Sequence, residues 1–417
     1  MEITTVNIVA SFIFLITILH TFSIKFFKIL ANQYPRHKNL FHMFGEVEFI
    51  FGFWAVCLVV ILFFISGSKT TIDYLNGQRF TEPLFVFVIM VIAASKPILD
   101  FSLSILTRFS KLIPVNPAVG FYFITMSFIP LLGSLITEPA AMTLAALILR
   151  DHFYNKKLSN KLKYATIGTL FVNISIGGVL TPFAAPPILM VASKWNWDLS
   201  FVFFTFGWRA ALAVFVNSLI LTLLFRKELS NIKKLKFENK TMPLIVLIIH
   251  LLLLLGVIIF VHEAIVFIGI FLIFLGFASI YQKYQNPLII KESFMVALFL
   301  VGLVILGGQQ KWWLQTLLTQ LSVNQIYYGA TALTAITDNA ALTYLGSLVE
   351  GLSDEFKYAL AAGAVTGGGL TVIANAPNPS GYSILSKKFD NKIISPLYLF
   401  ISASLPTIVA IICFKFL

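Results

Sequence analysis

TEPAAMT at residues 137–143 returns as TDNAALT at residues 337–343. Both copies read Thr, acid, any residue, Ala, Ala, apolar, Thr, and both interrupt a long apolar stretch, 117–151 and 322–350. A second pair follows in the same order. GGVLTPFAAP at 177–186 and GGGLTVIANA at 367–376 share Gly-Gly-x-Leu-Thr-x-x-Ala, with Pro187 then matching Pro377. Two ordered matches of this kind divide the chain into two related halves.

The 417 residues are 58% hydrophobic and 12% charged, against about a quarter charged in soluble domains, so the chain reads as an all-α polytopic membrane protein. Apolar runs able to cross a bilayer, which takes about 20 helical residues, fall at 7–30, 46–66, 83–107, 161–194, 199–226, 241–262, 264–281, 293–309, 357–388 and 391–416. Stretches 117–151 and 322–350 are too long for one span and broken in the middle, so each reads as a re-entrant hairpin. The first repeat is then 1–228, with three spans, hairpin 117–151, broken helix 161–194 and span 199–226. A basic linker at 229–240 leads to the second repeat, 241–417, with hairpin 322–350, broken helix 357–388 and span 391–416. Five crossings per half is odd, so the second half is expected upside down, the inverted arrangement of secondary transporters.

Charge supports this topology. Of the 30 Lys and Arg, 22 fall on one side and 6 on the other, with Lys96 and Arg209 left within the bilayer. The positive-inside bias makes the first side cytoplasmic, in a cytoplasmic (inner) membrane with both termini outside. The same bias accounts for the net charge of +12 without nucleic acid as a partner. The first apolar stretch lacks a basic leader and a cleavage site and reads as a retained span. Cys57 and Cys413 lie in apolar runs, which argues against a disulfide framework. No dinucleotide, phosphate-loop or metalloprotease motif is present, and no cofactor is expected.

Backbone that leaves the helix inside hydrocarbon must be buried in protein or line a polar cavity. Four such breaks are legible: Thr137–Pro139, Thr181–Pro187, Thr337–Asn339 and Asn375–Pro379. Their carbonyls and side chains, among them Thr137, Thr181, Thr337, Asn339, Thr371, Asn375 and Asn378, supply the oxygen ligands that a small hard cation prefers. Glu138 and Asp338 read as the same position in the two repeats. Acids at mid-membrane commonly mark ion or proton paths. Burial favours the neutral carboxyl and a cation favours the carboxylate, so such a site can exchange a proton for Na⁺. The alternative is structural: Pro139 suits the first helical position, and Glu138 would then cap a helix whose dipole an acid complements. The two roles can coexist.

Other polar residues have weaker claims. Asn173 and Thr366 stand beside the breaks and could line the cavity. Lys96 and Asp100 are four apart on one helix face and read as an ion pair or a proton-coupled partner. Arg209 reads as snorkelling or paired. Glu46 and Glu48 read as solvated caps or a proton entry. His20, His42, His250 and His262 are scattered singly, with no metal cluster.

Two hairpins with small polar tips, each followed by Gly-Gly-x-Leu-Thr and a proline-rich or Asn-x-Pro break, resemble the ion transporter superfamily of divalent anion/sodium symporters, arsenite permeases and sodium/proton antiporters. The acidic Thr337-Asp338-Asn339 tip is most similar to the bacterial Na⁺/H⁺ antiporters of that group. The dicarboxylate symporters carry Ser-Asn-Thr in both tips, and acids there would repel an anion. The resemblance implies a homodimer with scaffold and transport parts and an elevator-like motion. The function expected is secondary active cation/proton antiport, Na⁺ for H⁺, with small cations and the bilayer as partners. The alternative is a Na⁺- or H⁺-coupled transporter of organic or oxyanion substrates, which helix N-termini would favour. A lipid-acting enzyme would need a nucleophile or metal set that the histidines do not form.

Overall fold

Long apolar stretches with few helix breakers dictate helices. The computed structural model describes residues 4–156, 158–232, 242–389 and 392–417, and these are helical for most of their length, with no strand among them. The first half runs α1 Thr5–Thr21, α2 Ile24–Gln33, α3 Val47–Asn76, α4 Thr81–Ala93, α5 Lys96–Leu112, α6 Pro117–Ile136, α7 Glu138–Ile148, α8 Asn160–Gly177, α9 Pro186–Trp195 and α10 Trp208–Leu224. The second runs α11 Leu244–Ile259, α12 Ala264–Ile280, α13 Ile290–Gly307, α14 Lys311–Leu318, α15 Val323–Thr334, α16 Asn339–Ser347, α17 Asp354–Gly367, α18 Asn378–Ser386 and α19 Pro396–Phe416. Short helical turns fill several connections.

Six helices are long and apolar enough to cross a bilayer, namely α3, α6, Asn160–Leu180, Leu199–Leu224, α13 and α19, and a bent pair, α4–α5, makes a seventh if it counts as one span. Five of the ten expected spans, 46–66, 161–194, 199–226, 293–309 and 391–416, fall on such a helix and the bent pair lies at 83–107; α6 falls in the stretch expected as a hairpin, and α1, α11 and α12 are apolar but only 16 or 17 residues long. The expected span 7–30 breaks at Phe22–Ser23. The span expected at 46–66 continues to Asn76 through a kink at Gly67, whose φ of 80° is open to glycine at little steric cost. The span expected at 83–107 is two helices bent by 65°. Ser95 is extended there and Pro97 lies in the first turn of α5, where its missing N–H costs nothing. Lys96 therefore opens a new helix at the bend. Of the linker 229–240, residues 233–240 lie outside the described residues.

The chain turns back at Thr137. A Cβ built on Gly133 would stand 3.2 Å from that of Ala141, whereas eight residues of continuous helix advance about 12 Å. In the second half Ala335–Asp338 separates α15 from α16. The two halves interlock. α9, the second limb of the first broken helix, packs on α16, and α18 packs on α7. Each broken helix thus lays its second limb on the returning arm of the other half's hairpin. The stretch Asn160–Leu180 is the most enclosed, with 83% of its apolar window buried against 33% for α3. Outward faces carry Phe64, Ile265 and Ile280, all largely exposed as lipid-facing residues would be.

The crossing of the two breaks leaves no room for a side chain at Gly369, where a Cβ would stand 2.3 Å from the Cα of Val172. Gly369→Ala is expected to destabilise the protein by about 1–3 kcal/mol, as overpacking against backbone does. Gly269→Ala, in α12 with nothing within 4 Å, should be neutral or stabilising by up to ~1 kcal/mol. Thermal unfolding in detergent compares the two.

Candidate functional site

The first break is held from the hairpin arm that precedes Glu138. The Ser134 hydroxyl donates to the Gly177 carbonyl (2.7 Å) and accepts from the Leu180 N–H (3.0 Å). Thr181 donates to the Ser134 carbonyl (2.7 Å). One residue thereby satisfies peptide groups that the helix releases where α8 ends. Glu138 is fully buried against Gly178, where a Cβ would meet its carboxyl oxygen at 2.5 Å. Only a glycine lets the carboxyl lie there.

The second break joins the two tips. Asn339 N–H donates to the Ala374 carbonyl (3.1 Å), and the side chain of the next residue, Asn375, donates to Glu138 Oε2 (2.8 Å). Asn378 Nδ2 donates to the carbonyls of Gly368 and Thr371, each at 2.8 Å. Thr371 donates to the Ala335 carbonyl (2.7 Å). Glu138 of the first half is thus held by a residue of the second half's break.

Four pairs of contacts set the register between the halves. Asn173 donates to the Met126 carbonyl (3.0 Å), and a Cβ at Gly363 would stand 2.3 Å from the carbonyl oxygen of Tyr327. Gly177 abuts the Pro130 carbonyl as Gly367 abuts that of Thr331. Thr181 bonds Ser134 as Thr371 bonds Ala335. Gly178 abuts Glu138 as Gly368 abuts Asn339. In every pair the hairpin partners correspond as 126 with 327, 130 with 331, 134 with 335 and 138 with 339. The counterpart of Glu138 is therefore Asn339, and the sequence match that paired it with Asp338 is one residue out. The helix starts explain the slip. Thr137, at φ 74°, precedes α7 and Glu138 is its first residue, whereas Asp338 is the N-cap of α16 and accepts the N–H groups of Ala340 (2.8 Å) and Ala341 (3.2 Å). Asp338, not Glu138, is the capping acid.

Buried polar atoms are normally hydrogen-bonded. Among the described residues, those without a protein partner include Thr137 Oγ1, Glu138 Oε1, Asn339 Oδ1 and Nδ2, Asn375 Oδ1 and Asn378 Oδ1. These five residues are each at most 3% exposed. Their oxygens comprise one carboxylate, three amide carbonyls and a hydroxyl, the donor set that suits a hard monovalent cation. Thr337 does not join them, since its hydroxyl turns back to the Leu333 carbonyl (2.8 Å). Thr181 and Thr371 keep their hydroxyls on the hairpin arms and offer only backbone.

The flanking residues are structural in their contacts. Pro130 cannot donate to the Met126 carbonyl, and Asn173 supplies the missing donor. Asn173 also donates to Ser218 (3.1 Å) and accepts from Asn217 (3.0 Å), which reaches the Pro406 carbonyl in α19 (3.2 Å). Thr366 donates to the Ala362 carbonyl (2.7 Å). Lys96 and Asp100 are half-exposed on α5. Arg209 donates to the Thr205 carbonyl (2.5 Å) beside the rings of Trp208 and Tyr358. Sequence reading missed Ser134 and Asn217. Ser134 stands four residues before Glu138, near the end of the hairpin's first arm, and a partner for the carbonyl freed by Pro130 could have been sought.

Replacing Asn173 by Ala leaves the Met126 carbonyl unpaired, at a cost of about 1–3 kcal/mol in stability. Urea or thermal unfolding should show this loss.

No curated protein matches the chain. A family model does, over residues 5–417, nearly the full length. With its all-helical fold and apolar spans, the chain belongs to the family described as "Putative Na⁺/H⁺ antiporter".

Proposed function

We propose that the protein exchanges Na⁺ for H⁺ by alternating access, with Glu138 as the group that gives up its proton when the cation arrives. The observation that carries this reading is the fully buried Glu138 carboxyl, with Oε2 held by Asn375 and Oε1 without a protein partner, as are oxygens of Thr137, Asn339, Asn375 and Asn378. A buried carboxyl must be neutral or matched by a positive charge. A proton and Na⁺ meet that requirement equally well, and only one of them at a time. Thr137, Asn339, Asn375 and Asn378 complete the oxygen set around the ion. Asp338 adds negative charge nearby while capping α16. On this reading the two halves are inserted with opposite orientation, so the hairpin tips reach the ion from opposite faces of an inner membrane, and the protein works as a homodimer.

Purified protein in proteoliposomes loaded with a pH dye tests the proposal. A Na⁺ or Li⁺ pulse should drive proton efflux across pH 6–9, and a labelled dicarboxylate should give no counterflow. Glu138→Gln should lower the flux by about 100-fold or more, the scale of a lost proton-transfer group. Asp338→Asn retains a good N-cap and should keep the protein folded with measurable exchange.

Competition fixes the pH dependence. Protons and Na⁺ share one carboxylate, so the apparent KM for Na⁺ should rise as pH falls, by about tenfold per pH unit where the carboxyl is mostly protonated. Saturating Na⁺ should shift the flux profile to lower pH. A KM independent of pH contradicts a shared site.

A further inference from the structure

A cavity of about 520 Å³ opens beside the first break, away from the Glu138 oxygen set. Its walls include Glu82, Pro182, Phe183, Ser193, Asp198 and His262. Glu82 lies in the first turn of α4, and His262 in the turn between α11 and α12. Pro182 and Phe183 belong to the break itself, directly after Thr181. The Phe183 ring rests edge-on against Phe85 of α4, 6.4 Å between centroids. The cavity therefore runs from an outer rim of polar residues to a floor made of the broken backbone.

Its size and charge identify a ligand class. Six waters at ~30 Å³ each occupy about 180 Å³, so the space admits a small cation with its first hydration shell. Asp198 bonds the N–H of Phe201 (2.6 Å) at the rim, and Arg79 donates to Ser193 (2.9 Å) on the wall. Glu82 lies within electrostatic reach of both Arg79 and His262. The charged side chains that line the cavity itself, Glu82 and Asp198, are both acidic, with Arg79 and Lys194 flanking the wall, and a cleft lined by carboxylates raises the local concentration of cations.

We propose that this cavity is the vestibule through which hydrated Na⁺ reaches the first break, with the Glu82 carboxylate drawing the ion in. The proposal rests on the cation/proton exchange reading and adds an entry site to it. Glu82→Gln removes one of the two lining carboxylates, whereas Glu82→Asp keeps its charge.

The test measures Na⁺-driven proton flux in proteoliposomes for the parent protein and both variants. Glu82→Gln should raise the KM for Na⁺ on the vestibule side by about fivefold, the scale of one partly screened charge, with the maximal rate within about twofold of the parent. Glu82→Asp should stay near the parent KM. In a second arm Ser193→Cys, with Cys57 and Cys413 replaced by Ala, is treated with a membrane-impermeant cationic thiol reagent, which should slow flux relative to the same untreated variant. A parent KM in Glu82→Gln with flux intact overturns the vestibule and spares the exchange reading, as does a reagent-treated Ser193→Cys variant that transports at its untreated rate. Absence of Na⁺-driven flux in the parent overturns both.

Discussion

A peptide group released from a helix in an apolar interior has no water to turn to. The centre of this protein is built around that constraint. Ser134 takes up the groups freed where α8 ends, Asn378 takes two carbonyls of the second break, and Asn375 and Ala374 join the two tips. The Glu138–Asn375 bond is the place where these solutions meet. It ties an acid of the first half to the broken backbone of the second, so any movement of one limb against the other is felt at the carboxyl.

The asparagines divide into two kinds. Asn173 and Asn217 have their amide groups taken by carbonyls, hydroxyls and each other, and the proline at 130 explains why such a partner is needed inside α6. Asn339, Asn375 and Asn378 keep carbonyl oxygens without protein partners. The first kind closes the interior and the second kind leaves oxygens free for a ligand. Both kinds lie within apolar helices or their breaks, and only the neighbouring carbonyls tell them apart.

Much of this was legible in the sequence. The hairpin stretches and the Gly-Gly-x-Leu-Thr breaks follow from two repeated motifs and the cost of polar groups in hydrocarbon, and Glu138, Asn339, Asn375 and Asn378, expected at the ion, are buried with polar atoms left unbonded. What was not legible depends on local geometry that spacing does not encode. The alignment of TEPAAMT with TDNAALT placed Glu138 opposite Asp338, because identity of letters outweighs a shift of one residue in where a helix begins. The 65° bend at Ala94–Ser95 lies inside what was read as one span, 83–107, since a proline in a helical pattern marks a kink and a new first turn equally well. Threonines 181 and 371 were placed on the ion, but their hydroxyls hold the hairpin arms, a choice set by which carbonyl lies in reach.

The central claim is that one buried carboxyl trades a proton for a cation. Proton release on cation binding tests it most directly: NaCl is added to the purified protein in weakly buffered detergent solution with a pH indicator, and choline chloride serves as the salt control. The account predicts release of about one proton per chain, saturable in Na⁺ and absent in Glu138→Gln. Saturable Na⁺ binding with no proton released, or undiminished release from Glu138→Gln, would contradict it.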